Sequence, residues 1–334
     1  MTRRPVTRND VARLAGTSTA VVSYVVNDGP RPVSADAKKR VRAAIAKLGY
    51  RPNRLAQALR KRRSGLVGVI LPDTQTPYFS ALATAVESEL FSRGLLAVIG
   101  SSGFDPEREV RYAEAFADAQ VDGLLIASVG SSMRKVVAAS PGTIPTVYIH
   151  RAGSDGSLPL VAHDDASAGE IATRHLFEHG HRAVACIAPP ADGPIGDRVA
   201  GWKRALRARK VPYRDSMLVR AQNNRGDAAR VVTEWLASHP QTSAIFASTD
   251  ELAFGVIRAA ASLGKRIPQD LALIGCDGLM EGHHSVPRLT SVRLSLDTLA
   301  HEAVVRLLEG GKSAGRITVP VELVRSESCG CHLD

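Results

Sequence analysis

The stretch TRNDVARLAGTSTAVVSYVVN, residues 7–27, decides how the chain is read. Thr7 and Asp10 have the spacing of a capping box, Val11, Ala12, Leu14 and Ala15 give a short apolar face, and Gly16 supplies a stop. This predicts a helix of about two turns. Ser18 then caps a second helix with Val21, Val22, Val25 and Val26 on one side and Thr19, Ala20, Ser23, Tyr24 and Asn27 on the other. Its outward face is polar yet uncharged. A third helix runs from Ser34 to Gly49, with Val41, Ile45 and Leu48 inward and Lys38, Lys39, Arg40, Arg42 and Lys47 outward. Three short helices with a glycine turn between the first two read as helix-turn-helix over residues 1–49. Such a head puts short polar groups and a Tyr against base edges in the major groove, while neighbouring cations hold phosphates. A three-helix bundle with a solvated basic face would show the same periodicity.

Charge separates these two readings. The 334 residues carry 43 Lys+Arg and 33 Asp+Glu, net +10, but residues 1–63 alone hold 16 basic and 3 acidic residues, net +13, against −3 for the remainder. An excess of that size on a small head suits a polyanionic partner. With 44% hydrophobic residues the chain can bury sizeable cores, which excludes wholesale disorder. Four Cys make no disulfide scaffold, and no apolar run approaches the ~18 residues of a membrane helix. The opening MTRRPVTRND lacks the apolar run of an export signal, so the expected location is cytoplasmic, with no membrane partner.

After Gly49 comes YRPNRLAQALRKRR, residues 50–63, in which Pro52 and Asn53 suit a helix start and Leu55, Ala56 and Leu59 form a brief apolar edge before a basic run. Together with DVARLAGTSTAVVSYVVN and SADAKKRVRAAIAKLGYRPN, this segment closely resembles the DNA-binding head and hinge helix of the lactose/galactose-repressor (LacI/GalR) family. The resemblance implies that Thr19, Ala20 and Tyr24 read bases and that Ser23 and Asn27 position the backbone. It also implies that paired hinge helices insert Leu59 into the minor groove, supported by Ala56 and Asn53. An apolar wedge unstacks a base step and kinks the duplex. Tyr24 stands where many relatives carry Arg or His, and Ala20 can do little more than touch a thymine methyl.

From residue 66 short apolar runs alternate with amphipathic stretches. Strands are expected at 66–71, 95–100, 123–127, 146–149, 160–162, 183–188, 244–248 and 271–275, most of them near a helix-length segment. That order argues for parallel α/β sheets, and about 270 residues exceed one such sheet. The expected fold is an all-α helix-turn-helix head plus an α/β body. The resemblance makes the body two Rossmann-like lobes like a periplasmic sugar-binding protein, lobe one at about 64–162 and 293–320, lobe two at about 163–292 and 321–330.

Ligands of open α/β sheets bind beyond the carboxyl ends of the strands. Asp73, Tyr78 and Phe79 follow the first strand; Asp164 and Asp165, Arg198, Asp250 and Asp277 follow later ones. Asp in such places also serves as a plain helix cap. The family resemblance puts Arg198, in its GDRxxGW-like stretch, and Asp277 on a small effector, with Tyr78, Phe79, Asp165 and Asp250 as further candidates. Guanidinium and carboxylate make paired hydrogen bonds to neighbouring hydroxyls, and a ring covers a sugar's apolar face. Asn223 and Leu296 lie near positions where some relatives present rings, and only 4% of the chain is aromatic, which favours a sugar over a purine.

The string His175 to His181 holds three histidines, with 175 and 179 on one helix face, but it reads as a helix end at Gly180. Cys329-Gly330-Cys331-His332 shows no second ligand pair at zinc spacing and reads as a frayed tail, so no metal and no cofactor are expected. There is no GxxxxGK[ST] loop, GxSxG elbow or GxGxxG after the first strand, and the chain is not expected to be an enzyme. The expected protein is a homodimeric repressor released from a near-palindromic operator by a sugar-like effector. With no heptad tail before Asp334, a dimer is expected and not a tetramer. The rivals are a corepressor-dependent family member with a purine-like ligand, a sugar-binding protein without DNA regulation, and a sugar-modifying enzyme.

Overall fold

The computed structural model describes residues 6–27, 31–50, 63–128, 135–136, 144–151, 159–190, 193–311 and 315–331. Two compact units divide at Ser64/Gly65. Asn53, Ala56 and Leu59, the expected hinge contacts, lie outside the described residues.

The head is α1 (Arg8–Ala15), α2 (Thr19–Asn27) and α3 (Ala35–Leu48). The capping box is present: Thr7 N donates to Asp10 Oδ2 at 2.9 Å, and Asp10 N to Thr7 Oγ1 at 3.4 Å. Gly16 ends α1 in the left-handed region, at φ 60°, which an L side chain rarely adopts. Val11, Ala15, Val22, Val41 and Tyr50 form the core, while Leu14, expected on the apolar face, is 45% exposed and stands outside it. Arg40 is exposed, as expected, and its Nε also reaches Ala15 O at 3.1 Å, satisfying a carbonyl left open at the end of α1.

The body is a repeated strand–helix pattern: β1 (Leu66–Leu71), α4 (Pro77–Ser92), β2 (Leu96–Ser101), α5 (Pro106–Asp118), β3 (Gly123–Ile126), β4 (Thr146–Ile149), β5 (Pro159–His163), α6 (Asp165–Glu178), β6 (Ala185–Ala188), α7 (Pro194–Ala208), β7 (Leu218–Arg220), α8 (Arg225–Ser238), β8 (Ala244–Ala247), α9 (Asp250–Ser262), β9 (Ala272–Asp277), β10 (Thr290–Leu294), α10 (Leu296–Leu308), β11 (Gly315–Val319) and β12 (Val321–Val324). One sheet has the order β11-β5-β4-β3-β1-β2 and is parallel throughout; the other has the order β12-β10-β9-β8-β6-β7, with β12 alone antiparallel. The chain crosses between the sheets after β5, after β10 and at Pro320. Central strands β3, β6 and β8 are buried at every position, as strands covered on both faces must be. β7, β10, β11 and β12, absent from the expected strands, carry Arg220, Arg293, Arg316 and Glu322, and these charges break the apolar runs that mark the others.

Helices α6 and α7 cross with backbones in contact. A Cβ added at Gly169 would strike the carbonyl of Arg198, and one at Gly201 the carbonyl of Ala166, so only glycine allows this approach. The end of the chain is a correction. Residues 327–330 form a turn, Ser328 Oγ donates to Leu273 O at 2.7 Å, and Cys329 is 1% exposed, so no frayed tail begins at Cys329.

Candidate functional site

On the head, Thr19 and Ala20 are exposed and Ser23 and Tyr24 half-buried along α2. The four valines turn the opposite way, Val22 fully into the core. Ser18 Oγ accepts from Val21 N at 3.3 Å, which frees the first turn of α2 to start at Thr19.

In the body a cavity of about 550 Å³ opens between the carboxyl ends of the two sheets. Lobe one lines it with Tyr78, Phe79, Phe104 and His150; lobe two lines it with Arg198, Gln222, Asn223, Thr249 and Asp277. The crossing at Gly169 and Gly201 sets Arg198 beside the first turn of α6. There its Nε donates to Asp165 Oδ1 at 2.8 Å, and its Nη1 to Asp277 Oδ1 at 2.9 Å and Ser248 O at 2.6 Å. Nη2 makes no hydrogen bond among the described residues, and it is the donor left for the cavity. Burial opposes the guanidinium charge, and Asp277 and Asp165 more than offset it, so Arg198 stays protonated.

Asp165 and Asp250 stand behind the wall and do not line the cavity. Asp250 is fully buried, accepting Ser291 Oγ at 2.6 Å and Leu279 N at 2.8 Å. A Cβ at Gly275 would strike its Oδ1, so glycine there gives it room beneath β9. Burial raises Asp250 to about 6 and Asp277 to about 7, the latter against the pull of Arg198. Asp277 sits at φ 138°, a strained backbone for a non-glycine residue. Asp73 only braces the turn before α4, accepting Gln75 N at 2.8 Å and Thr76 N at 2.6 Å.

Tyr78 and Phe79 are buried at the cavity wall, at 5% and 8% exposure, whereas Phe104 is 58% exposed there. Tyr78 Oη is 3.0 Å from His150 Nδ1, and the rings of Phe79 and Phe104 meet edge to face at 6.3 Å. Desolvation, then Arg198, holds His150 neutral, well below the ordinary histidine range. Phe104, His150 and Gln222 escaped the sequence reading. Each lies within three residues of the end of β2, β4 or β7, so the strand-end rule applied to the expected strands reaches Phe104 and His150, whereas Gln222 follows β7, which was not expected. Low aromatic content argued against a ring-lined pocket, yet Tyr78, Phe79 and Phe104 meet on one wall of this cavity.

Residues 64–328 match the model of periplasmic binding proteins and the sugar binding domain of the LacI family, and residues 7–53 match that of bacterial regulatory proteins, lacI family. The chain is 33% identical over 321 residues to the ribose operon repressor of Escherichia coli (strain K12), covering 94% of each chain. It is 32% identical over 327 residues to the ribose operon repressor of Halalkalibacterium halodurans, covering 96% of each. Among solved structures, the Lac repressor dimer bound to operator and the anti-inducer ONPF superposes with a TM-score of 0.88 at 26% identity, covering 98% of this chain and 99% of that one. Head and body alike therefore place the chain in the LacI family, as a DNA-binding transcriptional regulator.

Proposed function

We propose that the protein is a homodimeric repressor that binds a near-palindromic operator and releases it when a sugar or sugar derivative enters the cavity between the lobes. The observation that carries this reading is Arg198: a buried guanidinium at the cavity wall, fixed by two carboxylates and a carbonyl, with Nη2 making no hydrogen bond among the described residues. Beside it Asp277, Asn223, Gln222 and Thr249 offer acceptors and donors for vicinal hydroxyls, and exposed Phe104 offers a face for a sugar's C–H groups. The sugar binding domain in the family model that matches residues 64–328 supports the same class.

On DNA, Thr19, Ala20 and Tyr24 read base edges, Ser23 and Asn27 position the backbone, and residues 50–63 supply the hinge, with Asn53 and Ala56 placing Leu59 in the minor groove. Head, hinge and body are assigned to residues 1–49, 50–63 and 64–334. Dimerisation is supported by the edge strand β2, where Leu96, Val98 and Ile99 are exposed near Phe91 at 66%. The effector acts through unequal affinity for two lobe arrangements, which separates the paired hinges. The relatives are transcriptional repressors, and we assign no catalytic residues.

A thermal-shift screen of sugars, nucleosides and amino acids tests the ligand class, because a cognate ligand stabilises the body by mass action. A sugar is expected to raise the melting temperature of the wild type, with little effect on Asp277→Asn, and to weaken operator binding. A shift by purines alone, with tighter operator binding, would convert the reading to a corepressor stacked on Phe104.

A further inference from the structure

His175 and His179 lie on one face at the end of α6, and Cys329 and Cys331 lie in the turn after β12, some 150 residues away. The fold brings them to one point. The two Nε2 atoms are 3.2 Å apart; Cys331 Sγ is 3.3 Å from His175 Nε2 and 3.4 Å from His179 Nε2; Cys329 Sγ is 3.5 Å from His175 Nε2. All four donor atoms fall within 4.8 Å of one another.

Hydrogen bonding alone does not account for this convergence. An imidazole nitrogen carries either one proton or one lone pair, yet His175 Nε2 has three polar neighbours within 3.5 Å. A shared cation does account for it. Zinc bonds of about 2.0–2.1 Å to nitrogen and 2.3 Å to sulfur, at tetrahedral angles, place two nitrogens about 3.3 Å apart and nitrogen and sulfur about 3.6 Å apart. The surroundings fit as well. Glu178 Oε2 lies 3.7 Å from His175 Nδ1, a charge near the imidazole but beyond hydrogen-bond distance, and Thr290 Oγ1 donates to Cys329 Sγ at 3.1 Å. Gly330, at φ 91°, supplies the left-handed turn that a single spacer between two ligands needs.

We propose that His175, His179, Cys329 and Cys331 form a four-coordinate zinc site that clamps the C-terminal segment of the body to α6. Two thiolates and two imidazoles suit borderline-soft Zn²⁺, and four protein ligands leave no open position, so the role is structural. Each thiol gives its proton to solvent on binding. The clamp bears on the effector cleft, because α6 starts at Asp165, and Ser328, one residue before Cys329, is hydrogen-bonded to β9, which ends at Asp277. The strings looked unrelated in sequence because each supplies only half of a ligand set.

The test uses the full-length protein, purified in reductant, loaded with zinc and desalted, with metal content read by mass spectrometry. One zinc per chain is expected. Cobalt in its place should give the visible bands of a tetrahedral site with thiolate charge transfer, which reads the ligands without any substitution. His179→Gln and Cys331→Ser, at solvent-reached positions, should lose affinity by more than the roughly 10–100-fold typical of outer-shell changes. A chelator should lower the melting temperature of the wild type and leave both variants unchanged. Wild type without stoichiometric metal, a cobalt spectrum lacking thiolate bands, undiminished metal in both variants, or a Cys329–Cys331 disulfide in the zinc-loaded protein would each overturn the site. A sugar-induced thermal shift is a separate readout, so failure here leaves the effector reading standing.

Discussion

The two walls of the cleft are built on different physics. Lobe one presents rings, with Tyr78 and Phe79 packed into its core and Phe104 reaching out of it. Lobe two presents one buried cation among Asp165, Asp277 and the Ser248 carbonyl, held there by a helix crossing that only glycine permits. Apolar packing tolerates adjustment, whereas a desolvated charge must keep its partners. Lobe two should therefore supply orientation and lobe one adaptable contact area.

The largest expected break in that contrast is Arg198→Ala. It strands two buried carboxylates and should cost about 3–5 kcal/mol of body stability, together with the ligand response. Denaturant unfolding with and without effector measures both, and an unfolding midpoint equal to wild type would show that the ion network is not structural. Next comes His163 on lobe one, which burial holds down at about 4, with Nε2 3.2 Å from Ser295 O. Its folded pKa lies below the ordinary 6.5, so between about pH 6.5 and 4 the unfolded state takes up more protons and stability falls as pH falls. The contribution is up to about 3 kcal/mol. His163→Gln should flatten that acid limb, although raised Asp250 and Asp277 act in the opposite sense in both proteins; an unchanged slope counts against it. Gly201→Ala forces α6 and α7 apart and should cost about 1–3 kcal/mol, with weaker ligand binding through displaced Arg198, read by melting and titration. A variant with full stability would mean that the crossing relaxes freely. The smallest effect belongs to Phe104→Ala. Its exposed ring should give up about 0.5–1.5 kcal/mol of ligand affinity, with the melting temperature of the unliganded protein unchanged. If it matched Arg198→Ala in binding, the two walls would not divide the work as argued.

Some of this was open to local reading. Thr7, Asp10, Gly16, Ser34 and Gly49 mark helix ends by chemistry that acts within four residues, and the head follows these marks. Strands with unbroken apolar runs were visible because burial on both faces demands them; edge strands β7, β11 and β12 and interior β10, each carrying an arginine or glutamate, were not. Arg198 and Asp277 stood out through family resemblance and strand ends. Phe104 and His150 obey the same rule but lie in loops whose spacing carries no periodic signal.

By itself the sequence determined the charge split between head and body, the alternation of strands and helices, and the chemical types available at strand ends, all set by neighbours in the chain. Only the tertiary structure decided which of those groups line the cavity and which stand behind its wall. Asp165 and Asp250 share the spacing of Asp277, yet the α6–α7 crossing and the space at Gly275 bury them as supports. It likewise brought two histidines and two cysteines, each pair uninformative alone, within 4.8 Å. Such convergence depends on contacts between residues far apart in the chain, which no local pattern of side chains records.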